Sequence, residues 1–427
     1  MKKLLYTSAL VMVFLQPHNA LAETMNKQMA FQKALQNNPS YVAALAHIDM
    51  ADGERLQASL LPNPNAILEV ENFAGDDEQE GFDGAEITLG IEQTIEIGGK
   101  RQNRNDISNF SYRIAQEQAK SSALSVLAET EYAFVRAGIA QDRISLANKR
   151  LALADKTHTI VKKRVGAAKA ADIQHTKADI EKAAAEVEKR KAEKELAIAQ
   201  NDLARLLGVV NAADIDIEMD MGELPNLPDK QNLLDALDNS PQYKAQEFAK
   251  LQSRSALSLA QSESIPDPTF GLGVRRFNEN DSTALVAGLS FPLPVLNRNQ
   301  GGIKQAKANI IKVDAENYAA GLSLRQSAIQ AWENFASSRE ETDNYQNRII
   351  PSAQKAYSQA DDGYSRGAFT FLDLLDAQRT LYEVQEAKLD SLLSVYEAKA
   401  QTDFLMGTHS DLIAQYSQTQ TKGQTNE

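Results

Sequence analysis

Five histidines, a row of acids and a pair of aspartates are the residues of this chain whose types suit cation or proton chemistry. His18 falls in an N-terminal leader, and His47, His158, His175 and His409 show no paired ligand spacing, so the sequence supports no metal site. In "DIDIEMDMGE" (214–223), Asp214, Asp216, Glu218 and Asp220 alternate with Ile215, Ile217, Met219 and Met221. The acidic row has the oxygen chemistry of a hard-cation site, yet strict alternation reads better as a short strand. Covalent chemistry has no candidate: there is no cysteine, no serine, histidine and acid in a recognisable motif, and no phosphate-binding glycine loop. "GLGVRRFNEN" (271–280) has two glycines two apart but no third, which suits a packed strand better than a nucleotide site. No catalytic residue, no enzyme activity and no cofactor are expected.

Composition narrows the class further. The net charge is -13, and no basic stripe stands out, which argues against a nucleic-acid partner. With 43% hydrophobic residues the chain can bury a large core. Lys2 and Lys3, an apolar run from Leu4 to Leu15 and the small-x-small site Ala20-Leu21-Ala22 read as a cleaved export signal over residues 1–22. The mature chain then starts at Glu23 rather than at a cysteine, so no lipid anchor is expected. No later stretch approaches about eighteen consecutive apolar residues, which excludes a helical inner-membrane protein but leaves a β-barrel open.

The elements that position these residues are written twice. "ALQNNPSY" (34–41) returns as "ALDNSPQY" (236–243), and "LPNPNAILEVENF" (61–73) returns as "IPDPTFGLGVRRF" (265–277). Gly166 and Asp172 correspond to Gly367 and Asp373 at one constant offset. The expected organisation is a first repeat over 23–208, an equatorial connector over 209–230, a second repeat over 231–407 and a polar tail over 408–427. The tail's end, "SQTQTKGQTNE", is expected to stay disordered.

Proline marks the plan within each repeat. None occurs between Pro64 and Pro225, and after Pro294 the only one is Pro351. The proline-free stretches are rich in Ala, Gln, Glu, Lys and Leu, which favours long helices. From Arg101 to Val165 the pattern predicts one helix of about 65 residues, roughly 100 Å at 1.5 Å per residue. Glycine interrupts at "KKRVGAAKAAD" (162–172) and again in "SRGAFTFLDLLDAQ" (365–378), giving antiparallel hairpins over 101–208 and 302–407.

Each repeat also carries two strands, near 66–73 and 85–97 in the first and 269–277 and 283–293 in the second. In "AEITLGIEQTIEI" (85–97), Ile87, Leu89, Ile91, Ile95 and Ile97 share one face, broken only by Gln93, while acids and threonines share the other. Alone, such a strand suits a half-buried soluble sheet. Four strands cannot close a barrel, however, and three chains pooling theirs would supply twelve, an even number within the outer-membrane range.

At this point the residues resemble a known family. The chain is similar, over essentially its whole mature length, to the TolC-type outer-membrane efflux channels. The junctions "IEQTIEIGGKR" and "FPLPVLNRNQGGI" look like the cobalt-zinc-cadmium resistance (CzcC-like) branch. The resemblance implies a mainly α protein with a membrane β-barrel: a homotrimer whose twelve-strand barrel in outer-membrane lipid continues into a twelve-helix periplasmic tunnel. It implies as partners a periplasmic adaptor and an inner-membrane pump of the resistance-nodulation-division type, with heavy-metal cations as cargo. Drugs or secreted polypeptides as cargo, and a soluble periplasmic coiled-coil scaffold, are the competing readings.

The resemblance also implies site residues. Tyr364, Gly367, Asp373 and Asp376 occupy family positions in the second hairpin, where threefold symmetry would turn each aspartate into an acidic ring at the tunnel entrance. The alternative is that Asp373 and Asp376 cap or solvate a helix start. Asp172 matches the first-hairpin aspartate that the family pairs with the tyrosine. Phe369 stands where the family has an arginine, which implies a gate held by fewer ionic links. Gly166, Ala167, Ala168, Gly367, Ala368 and Phe369 are expected at adaptor-docking tips, the two glycines shaping the turns. Gly98, Gly99, Lys100 and Arg101, with Asn297, Arg298 and Asn299 in the second copy, are expected to join barrel to tunnel, Lys100 and Arg101 lying near lipid phosphates.

Overall fold

A computed structural model of the chain describes residues 23–74, 82–209, 215–219 and 223–416. The expected export signal and the end of the tail, 417–427, lie outside the described residues. The elements in order are β1 (Glu23–Met25), α1 (Lys27–Asn37), α2 (Pro39–Ser59), β2 (Asn65–Glu71), β3 (Glu86–Thr94), α3 (Lys100–Gly166), α4 (Asp172–Leu206) and β4 (Ile215–Ile217). There follow α5 (Lys230–Ala236), α6 (Pro241–Ser262), β5 (Thr269–Phe277), β6 (Ser282–Ser290), α7 (Gln300–Asn344), α8 (Ile350–Arg366) and α9 (Phe371–Met406). None of the described helices is long and apolar enough to cross a membrane.

The chain forms two compact units, one of residues up to Gln32 with Ala133–Glu223, the other of Lys33–Tyr132 with the chain from Leu224 onward. In the first unit, part of α3 lies antiparallel to α4. Ala140, Ala147, Ala154 and Val161 on α3, and Ala178, Ala185, Ala192 and Ala199 on α4, are all buried. Seven-residue spacing on both helices gives a supercoiled seam, and alanine lets the backbones approach closely. Ion pairs fix the register: Arg136 with Asp202 at 2.6 Å, Arg143 with Glu195 at 3.1 Å and Asp155 with Lys182 at 2.5 Å. β1 pairs in parallel with β4, so the alternating stretch does form a short strand, described for Ile215–Ile217.

The duplication shows in the second unit as two copies of one helix start. Asn38 caps α2 and Ser240 caps α6, each with proline in the first turn, where its missing N–H is not needed. The core runs along α7 and α9, where Leu233 of α5 packs on Ala328, Ala331 and Leu405, and Phe335 packs on Val395 and Ala398. Pro351 is accommodated by a π-helical turn over Tyr345–Ile349 just before it, so α7 passes into α8 without a break. The tail is not loose throughout: Ser410–Tyr416 is helical, with Ile413 buried and the Tyr416 ring 6.5 Å from that of Tyr41.

The four-stranded sheet has the order β2-β3-β5-β6, antiparallel throughout, with both outer strands unpaired on one side among the described residues. Its register puts Leu68, Leu89, Val274 and Leu285 in one row, and Ala66, Ile91, Leu272 and Ala287 in the next. This apolar face is open, with Leu272 73% and Leu285 88% exposed. The other face is polar, where Arg275 lies 2.8 Å from both Glu71 and Glu86. Gln93, the exception in the apolar row, donates to Pro62 O at 3.0 Å. β3 and β6 stop at Thr94 and Ser290, short of the expected ends at 97 and 293. Both pair with β5 at Thr269, which follows Pro266-Asp267-Pro268. Prolines have no N–H, so the ladder ends there.

Candidate functional site

The seam between sheet and helix is built by backbone geometry first. Gly98 and Gly99 take φ of +75° and +80°, a left-handed pair that turns β3 into α3. A Cβ on Gly98 would meet Ile265 Cδ1 at 2.8 Å, so the position requires glycine on two counts. In the second copy the left-handed residue is Asn299, φ +55°, immediately before α7. Its amide nitrogen donates to Ala260 O and Glu263 Oε2, both at 2.8 Å. Asn297 accepts from the Asn299 N–H at 2.9 Å, and Arg298 Nε donates to Pro294 O at 3.0 Å.

Lys100 departs from its expected place. Its side chain is buried, with Nζ 2.6 Å from Asp267 and donating at 2.6 Å to Ile265 O. A buried, paired ammonium cannot also reach lipid phosphate. Asp267 accepts the Ile97 N–H as well, at 2.9 Å, so this pair replaces the lost ladder. Arg101 stays exposed, its Nε donating to Ser59 O at 2.7 Å. Arg104 grips Glu96 with both terminal nitrogens, and this holds the Glu96 carboxyl below the usual range.

The hairpin tips close with one hydrogen-bond pattern but different residues. At the second, Ala368 N–H donates to Gly363 O at 2.8 Å and Gly367 N–H to Tyr364 O at 3.0 Å, with Gly367 at φ +78°. This is a Schellman cap with glycine in the left-handed position. At the first, Lys169 N–H donates to Arg164 O at 2.8 Å and Ala168 N–H to Val165 O at 2.9 Å. Here Ala168 is left-handed, φ +54°, while Gly166 is the last residue of α3. The expectation that Gly166 shapes the turn is therefore corrected: two residues on, an alanine carries the strain. Ala167 and Ala368 are exposed, as is half of Phe369. The Phe369 ring covers Gly363 so closely that any Cβ there would overlap it.

Around the second tip, Tyr364 is buried, with its ring 5.7 Å from that of Phe371. Asp373 completes a capping box, accepting from the Thr370 N–H at 2.8 Å while Thr370 Oγ1 accepts the Asp373 N–H at 3.2 Å. Hydrogen bonds from the Thr370 hydroxyl and then its N–H hold the Asp373 carboxyl below its ordinary value. Within one chain Asp373 thus caps a helix, as the alternative reading has it, and its carboxyl is still exposed. Asp376 is exposed one turn on, and Asp172, first residue of α4, is exposed on the other hairpin.

Two clusters escaped the sequence because their members are distant or straddle a turn. Fully buried Glu131 and partly buried Asp403 and His409 bring three ligand-type atoms within 4.8 Å of one another. Lys399 Nζ sits between the carboxylates, 2.9 Å from Glu131 and in contact with Asp403. Burial works against its ammonium, but the two carboxylates outweigh burial and raise its pKa. On the first hairpin the rings of His158 and His175 lie 5.0 Å apart. The two are equidistant from Gly166-Ala167, a signal that becomes readable once the turn is placed there.

The comparisons with known proteins agree with this geometry. The cobalt-zinc-cadmium resistance protein CzcC of Cupriavidus metallidurans is 29% identical over 425 residues, covering 95% of this chain and all of that one. The nickel and cobalt resistance protein CnrC of the same organism is 28% identical over 301 residues, 70% of this chain and 71% of its own. Among solved structures, the outer membrane protein VceC of Vibrio cholerae superposes with a TM-score of 0.75 at 18% identity, covering 89% of this chain and 96% of that one. CusC superposes with a TM-score of 0.76 at 16% identity, covering 94% and 95%. The outer membrane efflux protein family matches residues 30–209 and 232–408, one segment in each repeat, and the chain belongs to that family.

Proposed function

We propose that this protein is the outer-membrane exit duct of a tripartite efflux pump, a homotrimer that passes heavy-metal cations from the periplasm to the outside. The observation that carries the reading is the open sheet. Its apolar face is exposed and, among the described residues, both its edges are unpaired in one chain, a combination that water penalises and that lipid with two further copies would satisfy. The polar face, with Arg275 held by Glu71 and Glu86, would then line the lumen. The helical hairpins extend the duct, and their exposed tips at Ala167–Ala168 and Ala368–Phe369 are where a periplasmic adaptor would dock and connect it to the inner-membrane pump. Asp172, Tyr364, Asp373 and Asp376 are the proposed entrance, the exposed aspartates forming cation-attracting rings in a trimer. The duct consumes no energy itself.

Heavy-metal cargo rests on the named relatives, so it is tested separately from the architecture. The channel should fractionate with the outer membrane and migrate as a trimer; release with soluble periplasmic proteins would overturn the duct and favour a scaffold. Deletion of the gene should lower tolerance to one or more of zinc, cobalt, cadmium, copper and nickel. Unchanged metal tolerance with new drug sensitivity would overturn the cargo and leave the duct standing.

A further inference from the structure

We infer that residues 291–296, the link from β6 to α7, form an interfacial anchor whose partner is the phospholipid on the helix side of the sheet, with Arg298 at its phosphates. This rests on the reading above in which the open apolar face of the sheet meets lipid, and it carries that contact past the last row of the ladder. A strand that crosses the hydrocarbon of a bilayer takes about 9–11 tilted residues. Within the ladder, the apolar positions of β6 on that face are Leu285, Ala287 and Leu289, a stretch of five residues that ends at Thr283 on the far side. The ladder alone is too short. Phe291 and Leu293 continue the alternation, and 285–293 is nine residues. Each precedes a proline, and a residue before proline is restricted to extended backbone, so the strand direction runs on without a ladder. On β3 the same face also continues past Thr94, through exposed Ile95 and Ile97.

The segment is braced and yet open. Leu293 is 72% and Leu296 89% exposed, and Phe291 and Val295 are exposed as well. Val295 N–H donates to Leu293 O at 2.8 Å, which turns the chain over Pro294. Arg298 Nε on Pro294 O and Gln300 Nε2 on Leu296 O, at 3.0 and 3.2 Å, brace that turn. Four exposed apolar side chains on a fixed turn mark a contact surface.

Lipid suits that surface better than a second copy pairing along the β6 edge. Pro292 and Pro294 lack the N–H groups that a neighbouring strand would need, so an edge ladder stops at Phe291. Charge points the same way. Arg298 is exposed, exposed Lys304 and Lys307 follow in the first two turns of α7, and none of the three makes an ion pair among the described residues. Apolar side chains with cations just beyond them match a bilayer boundary, where the stems lie in hydrocarbon and the charges meet phosphate. The first copy is built otherwise: there the chain enters α3 through Gly98-Gly99, and Lys100 is buried against Asp267.

The chain has no cysteine, so a single introduced one carries a nitroxide without background. The full-length channel is reconstituted in vesicles of phosphatidylethanolamine and phosphatidylglycerol, labelled in turn at Leu272→Cys, Leu293→Cys, Leu296→Cys and Lys169→Cys. Oxygen, which concentrates in lipid, should relax the labels at 272, 293 and 296 more than a water-soluble nickel chelate does. The order should reverse at 169, exposed on the first hairpin tip. Nickel-dominated relaxation at 293 and 296, with oxygen dominant at 272, would overturn the anchor and leave the lipid-facing sheet standing. Labels at 293 and 296 screened from both reagents would also overturn it, and would assign the segment to a neighbouring copy. Nickel dominance at 272 would overturn the lipid-facing sheet and the anchor with it. Arg298→Gln should lower the melting temperature of the trimer more in these vesicles than in dodecyl maltoside, which has no phosphate, because the bond to Pro294 is lost equally in both. Equal shifts would overturn the phosphate contact.

Discussion

Replacing Lys399 with methionine keeps the length of the side chain and removes its charge. Glu131 has no exposed surface, and its Oε1 lies 2.9 Å from Lys399 Nζ. At an effective dielectric near 20, unit charges at that distance attract by roughly 6 kcal/mol, and desolvation of the ammonium offsets part of this. Removing one partner of a buried pair therefore costs about 3–5 kcal/mol, because the remaining carboxylate is left buried without its counter-charge. The loss should fall on α9 near its C-terminal Schellman cap at Gly407 and on the middle of α3. In hydrogen exchange that proceeds by local opening, about 3 kcal/mol lowers protection by roughly two orders of magnitude. The folded pKa of Lys399 is raised, so its contribution is fully present below the unfolded value of about 10.4 and is lost as pH rises through the folded value. At neutral pH the wild type carries all of it. The triple variant Lys399→Met, Glu131→Gln, Asp403→Asn should recover much of the protection, since no charge is then stranded. Unchanged protection in Lys399→Met, or equal loss in the single and triple variants, would refute the reasoning.

Other expected outcomes concern the tips and the sheet. Ala168→Gly should stabilise the first hairpin by about 1 kcal/mol, because an L-residue with a Cβ is strained at positive φ, and Gly166→Ala should be neutral or slightly favourable; amide exchange across 160–175 reads both. Gly367→Ala should weaken the second tip by a similar amount, read in the same way across 360–375. For the entrance proposed above, Phe369→Arg should change opening currents in a planar bilayer, as the added cation would supply an ionic link across it, and identical currents would dismiss that proposal. Leu272→Arg places a charge on the open apolar face and should impair membrane assembly, with a cost near 2–4 kcal/mol at mid-bilayer. Thr269→Arg, on the polar face, is the control, and equal assembly of the two would mean the faces are assigned wrongly.

Local chemistry was legible in the sequence wherever one stretch of chain decides the outcome. Proline-free runs of helix formers specified α3 and α4 to within a residue or two, because propensity and the absence of breakers act along the chain. Alternation specified β3 and which of its residues share a face, since the pleat has period two, and the repeat placed the other three strands near their observed positions. Their ends were less legible: Thr94 is the last strand residue of β3 because Pro266 and Pro268 lie just before the partner strand begins at Thr269, a fact no reading of β3 alone contains.

Tertiary structure decided the rest. It moved the left-handed residue of the first turn from Gly166 to Ala168, because the pairing of α3 with α4 sets where the chain must reverse. It buried Lys100 against Asp267, 167 positions away, and so turned an expected lipid anchor into an internal tie. It brought His158 to His175 and Lys399 to Glu131. The sequence by itself determined the duplicated helix-and-strand plan, since periodicity and breakers are one-dimensional signals. Which charges are paired, and which imidazoles meet, depends on the register between helices, and register is fixed only when the helices pack.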